Sequence, residues 1–192
     1  FLKLYTAKGE EAATTTYDLS DPATEDFFTQ PATEEAKRFL AKRNPYTEKD
    51  IVLDVKISLK EYFNDLARIT QKYFPEAKGD LNIENEITVI SSLFTEIQKA
   101  GDTSDPFIIA TLLGKLPKYA RQYSNLANEL KKIPTPLEVR AIHLDFLNSF
   151  ANISLALEGL ATFNQDPILG ALGMKMYTNE IVADRKILTQ IK

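Results

Sequence analysis

The sequence predicts an all-α fold: an antiparallel bundle of five to six helices, four of them long, behind an extended N-terminal lead. Three observations predict it. Apolar residues recur at alternating spacings of three and four through most of residues 31–192, the period of a buried helix face. Glycine is scarce, 7 in 192 residues, which suits helices better than a turn-rich β fold. Asp-Pro or Thr-Pro pairs stand before three of the apolar runs, at 105–106, 135–136 and 166–167. Such pairs place a capping side chain and a residue without a free N–H where a helix begins.

The lead is residues 1–30, read as an extended or disordered linker, and the bundle domain is 31–192. The lead carries six acids (Glu10, Glu11, Asp18, Asp21, Glu25, Asp26) against Lys3 and Lys8, hence −4. That equals the net charge of the whole chain, so the body is neutral. A sequence-independent nucleic-acid binder needs a basic surface to displace counterions, so nucleic acid is not expected as a partner. Residues 6–26 hold too few apolar side chains to offset their ordering entropy unaided. Phe1, Leu2, Leu4 and Tyr5 form a short apolar start. It reads either as the stump of a membrane anchor or signal segment, or as a terminus that docks on the bundle. Phe27 and Phe28 are the expected first docking point. No run reaches the ~18 apolar residues of a membrane span, so any membrane contact is expected only through a segment upstream of Phe1.

Residues 33–43 read as a short helix with acids in its first turn and bases in its last, which suits the helix dipole. Asn44-Pro45 ends it, because the residue before proline is pushed out of the α region. Residues 47–74 carry two patterns. Ile51, Leu53, Val55, Ile57 and Leu59 alternate as a strand would. Val52, Val55, Leu59, Tyr62, Leu66, Ile69 and Tyr73 hold a longer heptad seam, which predicts one helix of roughly 40 Å, capped by Thr47 and stopped by Pro75. A turn is expected over 77–81. Ile83, Ile87, Ile90, Phe94 and Ile97 define the next seam, with Gly101 beyond its C-cap. The helix opened by Asp105-Pro106 is expected to kink near Lys115, between Gly114 and Pro117. Its seam then continues through Leu116, Tyr119, Tyr123, Leu126, Leu130 and Ile133.

Residues 135–163 form the expected packing centre. Thr135 and Glu138 match a capping box with Pro136 at the first helical position. One apolar stripe is Val139, Ile142, Phe146, Phe150, Ile153, Leu157 and Leu160; a second is Leu137, Leu144, Leu147, Ala151 and Leu155. Two stripes mean packing on more than one side. Asp166-Pro167 starts the last helix, with apolar positions Leu169, Leu172, Met176, Ile181, Leu188 and Ile191 and with Gly170 and Gly173 available for close backbone approach.

Chemistry is thinly marked. Cysteine is absent, which removes disulfides, thiolate metal sites and cysteine nucleophiles. The lone histidine, His143, has Val139, Arg140, Phe146 and Leu147 on its own helix face, and none of these is a base, ligand or nucleophile. Its expected role is structural or interfacial. Asn148, Ser149, Asn152 and Ser154 form a polar inlay, read as a register-fixing hydrogen-bond network or, alternatively, as a ligand pocket. Tyr119 and Tyr123 sit on the seam with Tyr62 and Tyr73. His143, Asn148, Asn152, Tyr119 and Tyr123 are thus the candidate binding residues; no catalytic set, metal site or cofactor motif is present in the pattern.

Pro134, Pro136, His143-Leu144 and Asn148-Ser149, together with Phe163 and Asp166-Pro167-Ile168-Leu169-Gly170-Ala171-Leu172, resemble bacterial proteins with an N-terminal membrane anchor and an outward-facing helical domain. The resemblance covers the last third of the chain and implies an anchor before Phe1 and an extracytoplasmic location. The functional expectation is a non-enzymatic interaction or scaffold module with a protein partner; the alternative is a ligand-binding or sensory bundle with a pocket near Asn148 and Asn152.

Overall fold

In the computed structural model the chain is an all-α helical bundle; the residues it describes are 2–5, 14–17, 34–75, 83–99 and 105–190. The helices are α1 (Glu34–Leu40), α2 (Leu59–Tyr73), α3 (Ile83–Gln98), α4 (Pro106–Leu113), α5 (Leu116–Leu130), α6 (Arg140–Ala161) and α7 (Pro167–Gln190). Within the lead, β1 (Leu2–Tyr5) and β2 (Thr14–Tyr17) pair antiparallel, with Leu2 opposite Tyr17 and Tyr5 opposite Thr14. The β-branched run Thr14, Thr15 and Thr16 favours that conformation. The expected docking of Phe27 and Phe28, the 77–81 turn and the Gly101 cap lie outside the described residues.

Helix starts follow the cap chemistry where the cap is local. The Asp105 carboxylate accepts from the N–H groups of Phe107 and Ile108, and Asp166 from those of Ile168 and Leu169. Each satisfies two donors that the first turn leaves orphaned. The break at Gly114 and Lys115 separates α4 from α5 where the kink was expected. Asn44, with φ at +49°, ends the first helical passage in the left-handed region that asparagine tolerates.

Two starts differ from the sequence reading. The single helix over 47–74 does not form. Thr47 and Asp50 close only a 3-10 turn (Glu48–Asp50), and α2 begins twelve residues after Thr47, at Leu59. There Ser58 and Glu61 make a complete capping box. Between the two, Leu53 forms a parallel bridge with Thr135, in which the Thr135 N–H donates to Val52 O at 2.7 Å and the Asp54 N–H to Thr135 O at 3.1 Å. Val52 and Val55 are therefore solvent-exposed instead of lying on a helical seam. The same bridge overturns the second start. Thr135 is buried by its pairing, its hydroxyl donates back to Ile133 O, and it caps nothing; a 3-10 turn (Leu137–Val139) leads into α6 at Arg140.

The core has two parts that share α5 and α6. The first gathers Phe39 of α1, Ile90 and Leu93 of α3, Leu116, Tyr119 and Tyr123 of α5, Ile153, Leu157 and Leu160 of α6, and Leu172 and Met176 of α7. The second gathers Ile51, Tyr62 and Ile69 with Leu126, Leu130, Ile133, Val139 and Leu147. Phe150 and Phe74 pack against both. The α6–α7 crossing is close because Gly173 has no side chain: a Cβ there would lie 2.5 Å from Ala156 O. Gly170 is equally confined, 2.6 Å from Phe163 Cα. Their sequence reading as points of close approach holds.

Candidate functional site

Three buried polar assemblies sit inside this frame. The first is centred on Glu86, on the first turns of α3. It is 1 % exposed. Tyr177 of α7 donates to its Oε1 at 2.8 Å and Tyr123 of α5 to its Oε2 at 3.0 Å. Burial pushes the Glu86 carboxyl up to about 7, against the opposing effect of the two tyrosine hydrogen bonds. The Tyr177 hydroxyl is driven well above its ordinary value, first by burial and then by the neighbouring carboxylate.

The second is His143 on α6, fully buried within the second cluster. Its Nδ1 lies 3.0 Å from the Tyr62 hydroxyl of α2, and the two rings meet edge to face with centroids 5.7 Å apart. Nε2 makes no well-formed hydrogen bond. Burial holds the imidazole down at about 4, with the Leu130 main chain as the opposing influence, so it is neutral at physiological pH. Burial also raises the Tyr62 hydroxyl, to about 12. A neutral ring facing a neutral phenol is a packing pair that carries one hydrogen bond.

The third assembly is the asparagine inlay. Asn148 accepts from the Tyr46 N–H at 2.9 Å and donates to Tyr46 O at 3.1 Å. Asn152 accepts from the Asn44 N–H at 2.9 Å and donates to Asn44 Oδ1 at 2.8 Å and Glu180 Oε1 at 3.0 Å. Arg43 reaches the same Glu180 oxygen at 3.4 Å. The two amides, one helical turn apart, thus grip alternate residues of the chain corner at 44–46 and fasten it to α6. Ser154 donates to Ala120 O at 2.8 Å and ties α6 to α5.

The candidate residues therefore do not converge. Tyr123 belongs to the Glu86 centre, His143 to the Tyr62 pair, and Asn148 and Asn152 to the 44–46 clamp. Tyr119 is buried in the first cluster. Glu86 was missed because the α3 seam was phased one position late: Ile87 is 52 % exposed, while Glu86, Val89, Ile90 and Leu93 face inward. The signal was in the sequence, since 86, 89, 90, 93 and 97 also fit a helical stripe once an acid is allowed on it.

Among the described residues, no group of three or more His, Asp or Glu could hold a metal ion. None of the three assemblies presents a nucleophile beside a free base. Glu86 can take up and hold a proton; the other two fasten elements.

No family model matches the chain, and neither does any curated protein or solved structure. Among the described residues, no helix is long and apolar enough to cross a membrane.

Proposed function

We propose that the chain is a non-enzymatic interaction or scaffold module with a protein partner, held outside the cytoplasm on a membrane-tethered protein. The observation that carries the interaction reading is an exposed apolar set around the Leu53–Thr135 bridge: Val52, Leu53, Val55, Leu59 and Leu137, with Val55 83 % exposed. Exposed apolar surface, where it forms a patch, marks interaction sites on folded domains. The backbone adds to it. In the parallel bridge, Val52 O and the Asp54 N–H face Thr135, which leaves the N–H and C=O of Leu53 directed outward. The opposite edge is blunted, because Thr135 lies between Pro134 and Pro136. The tether and the location rest on the resemblance of the last third of the chain.

The test is in-cell crosslinking of the intact protein, comparing wild type with Val55→Glu. A partner retained by the wild type and lost by the variant, with the thermal melt unchanged, is the expected result; identical capture by both sinks the interaction reading. Because these residues contain no cysteine, Lys56→Cys supplies a unique reporter. Labelling of intact cells by a membrane-impermeant maleimide is expected, and labelling only after lysis refutes the extracytoplasmic location.

A further inference from the structure

We infer that α3 is a proton-operated latch: it is held onto α5 and α7 while Glu86 carries a proton and loosens from them when Glu86 ionises.

The geometry carries the inference. Glu86 is the polar contact through which α3 meets two other helices at once, through Tyr123 of α5 and Tyr177 of α7. Among the described residues, the buried α3 face beyond Glu86 is Val89, Ile90 and Leu93, until Glu96 one end away, which pairs with Lys99 of the same helix. An ionised carboxylate in such a place has lost its water and gained two neutral donors. A protonated one has no desolvation penalty of that size and can donate its own proton to one tyrosine while accepting from the other. The docked state therefore favours the proton, and the undocked state, with Glu86 in water, does not.

The described groups hydrogen-bonded to the carboxyl are neutral donors. From α5 the facing titratable group is Tyr123, and from α7 it is Tyr177; both are neutral and both donate. Of the other elements packed on α3, α4 carries no titratable side chain and β1 carries Lys3 and Tyr5. Among the described residues, the influences on Glu86 are burial and those two hydroxyls. Glu180, the other buried acid of α7, is engaged by Asn152 and Arg43 instead. The displacement of the carboxyl to about 7 from an ordinary 4.5 places the changeover near neutrality, with docking strongest on the acid side. A one-unit displacement is tenfold in the opening equilibrium, so the full swing is on the order of a hundredfold or more.

Hydrogen–deuterium exchange of the full chain between pH 5.5 and 8, corrected for intrinsic rates, tests it. Peptides from α3 are expected to lose protection roughly tenfold or more as pH rises. Peptides from the α6–α7 crossing are expected to hold theirs. Glu86→Gln keeps the shape and removes the charge, so its α3 protection is expected to be flat with pH. A wild-type α3 profile flat with pH, or a Glu86→Gln profile that follows the wild type, overturns the latch. Tyr177→Phe gives a second reading should the glutamine variant fold poorly. Loss of a donor to the carboxylate moves the changeover to higher pH, and an unmoved midpoint counts against the mechanism.

Discussion

Glu86 and His143 occupy the two halves of one core, and each leans on tyrosine, yet pH acts on them with opposite sign. Glu86 sits in the first cluster between Tyr123 and Tyr177; His143 sits in the second against Tyr62. An aromatic path joins the halves: Phe74 and Tyr123 lie 5.1 Å apart, Tyr123 and Phe150 6.1 Å, and Phe150 and Phe146 6.1 Å. Both groups are driven toward neutrality by burial. For an acid that means holding a proton, and for an imidazole it means shedding one. The lesson is that the same apolar burial writes opposite pH dependences into one domain, according to which side chain it encloses.

The largest expected effects show whether the two halves unfold as one cooperative unit. Ile153→Ala in the first cluster and Leu147→Ala in the second remove fully buried methyl groups and should each cost about 2–5 kcal/mol. Both should shift a single denaturant transition followed by circular dichroism and by tyrosine fluorescence. Two transitions, or one variant that moves only one probe, would split the halves into separate units.

Next in size are the opposed pH slopes, on the order of 3 kcal/mol each, from the displacement of Glu86 from 4.5 to about 7 and of His143 from 6.5 to about 4. Glu86 has its folded value raised, so its contribution is fully present below pH 4.5 and is lost as pH rises through 7. His143 has its folded value lowered, so stability is intact above pH 6.5 and is lost as pH falls toward 4. In the overlap between 4.5 and 6.5 the two slopes oppose. The carboxylates lowered by partners, such as Asp50 against Lys131 and Glu129 against Lys72, act below their own ordinary values and stay out of that window. Wild type should therefore be nearly level there. Glu86→Gln should leave stability rising with pH, and His143→Gln should leave it falling. Urea midpoints measured at half-unit pH steps decide it; parallel slopes in the two variants would refute the opposition.

What was legible in the sequence was whatever is set locally. The α5 stripe of Leu116, Tyr119, Tyr123, Leu126, Leu130 and Ile133 is buried at every position. Asp105 and Asp166 cap as their neighbours demand, and Gly173 sits where two backbones nearly touch. What was not legible was set by distant pairing. Thr135 has the residues of a cap, but Val52 and Asp54 claim its backbone across more than eighty positions. That claim also removes Val52 and Val55 from the helix their spacing implied, because a segment paired as a strand cannot continue a helical ladder. His143 looked partnerless because only its own helix face was legible, and its partner Tyr62 arrives from α2. The fold class survives such misreadings, since burial of a 3.6-period stripe is averaged over many residues. A site hangs on one or two long-range contacts and is lost if either is missed.

The smallest effect separates the centres by their number of partners. Tyr62→Phe removes the one well-formed hydrogen bond to the His143 ring among the described residues, leaving Nδ1 buried without it. A buried polar atom left unsatisfied costs about 1–3 kcal/mol. Tyr177→Phe takes one of two donors from Glu86, and the remaining Tyr123 hydroxyl still serves the carboxyl, which below pH 7 carries a proton of its own to place. At pH 6 its cost should fall at the low end, near 1 kcal/mol. The difference should grow with acidity, since the cost of Tyr177→Phe shrinks as the Glu86 carboxyl takes up its proton. Urea denaturation of both variants at pH 6 and pH 8 is the check. If Tyr177→Phe is the more damaging at pH 6, the Glu86 centre depends on both hydroxyls even when protonated, and the contrast between a doubly held acid and a singly held base fails.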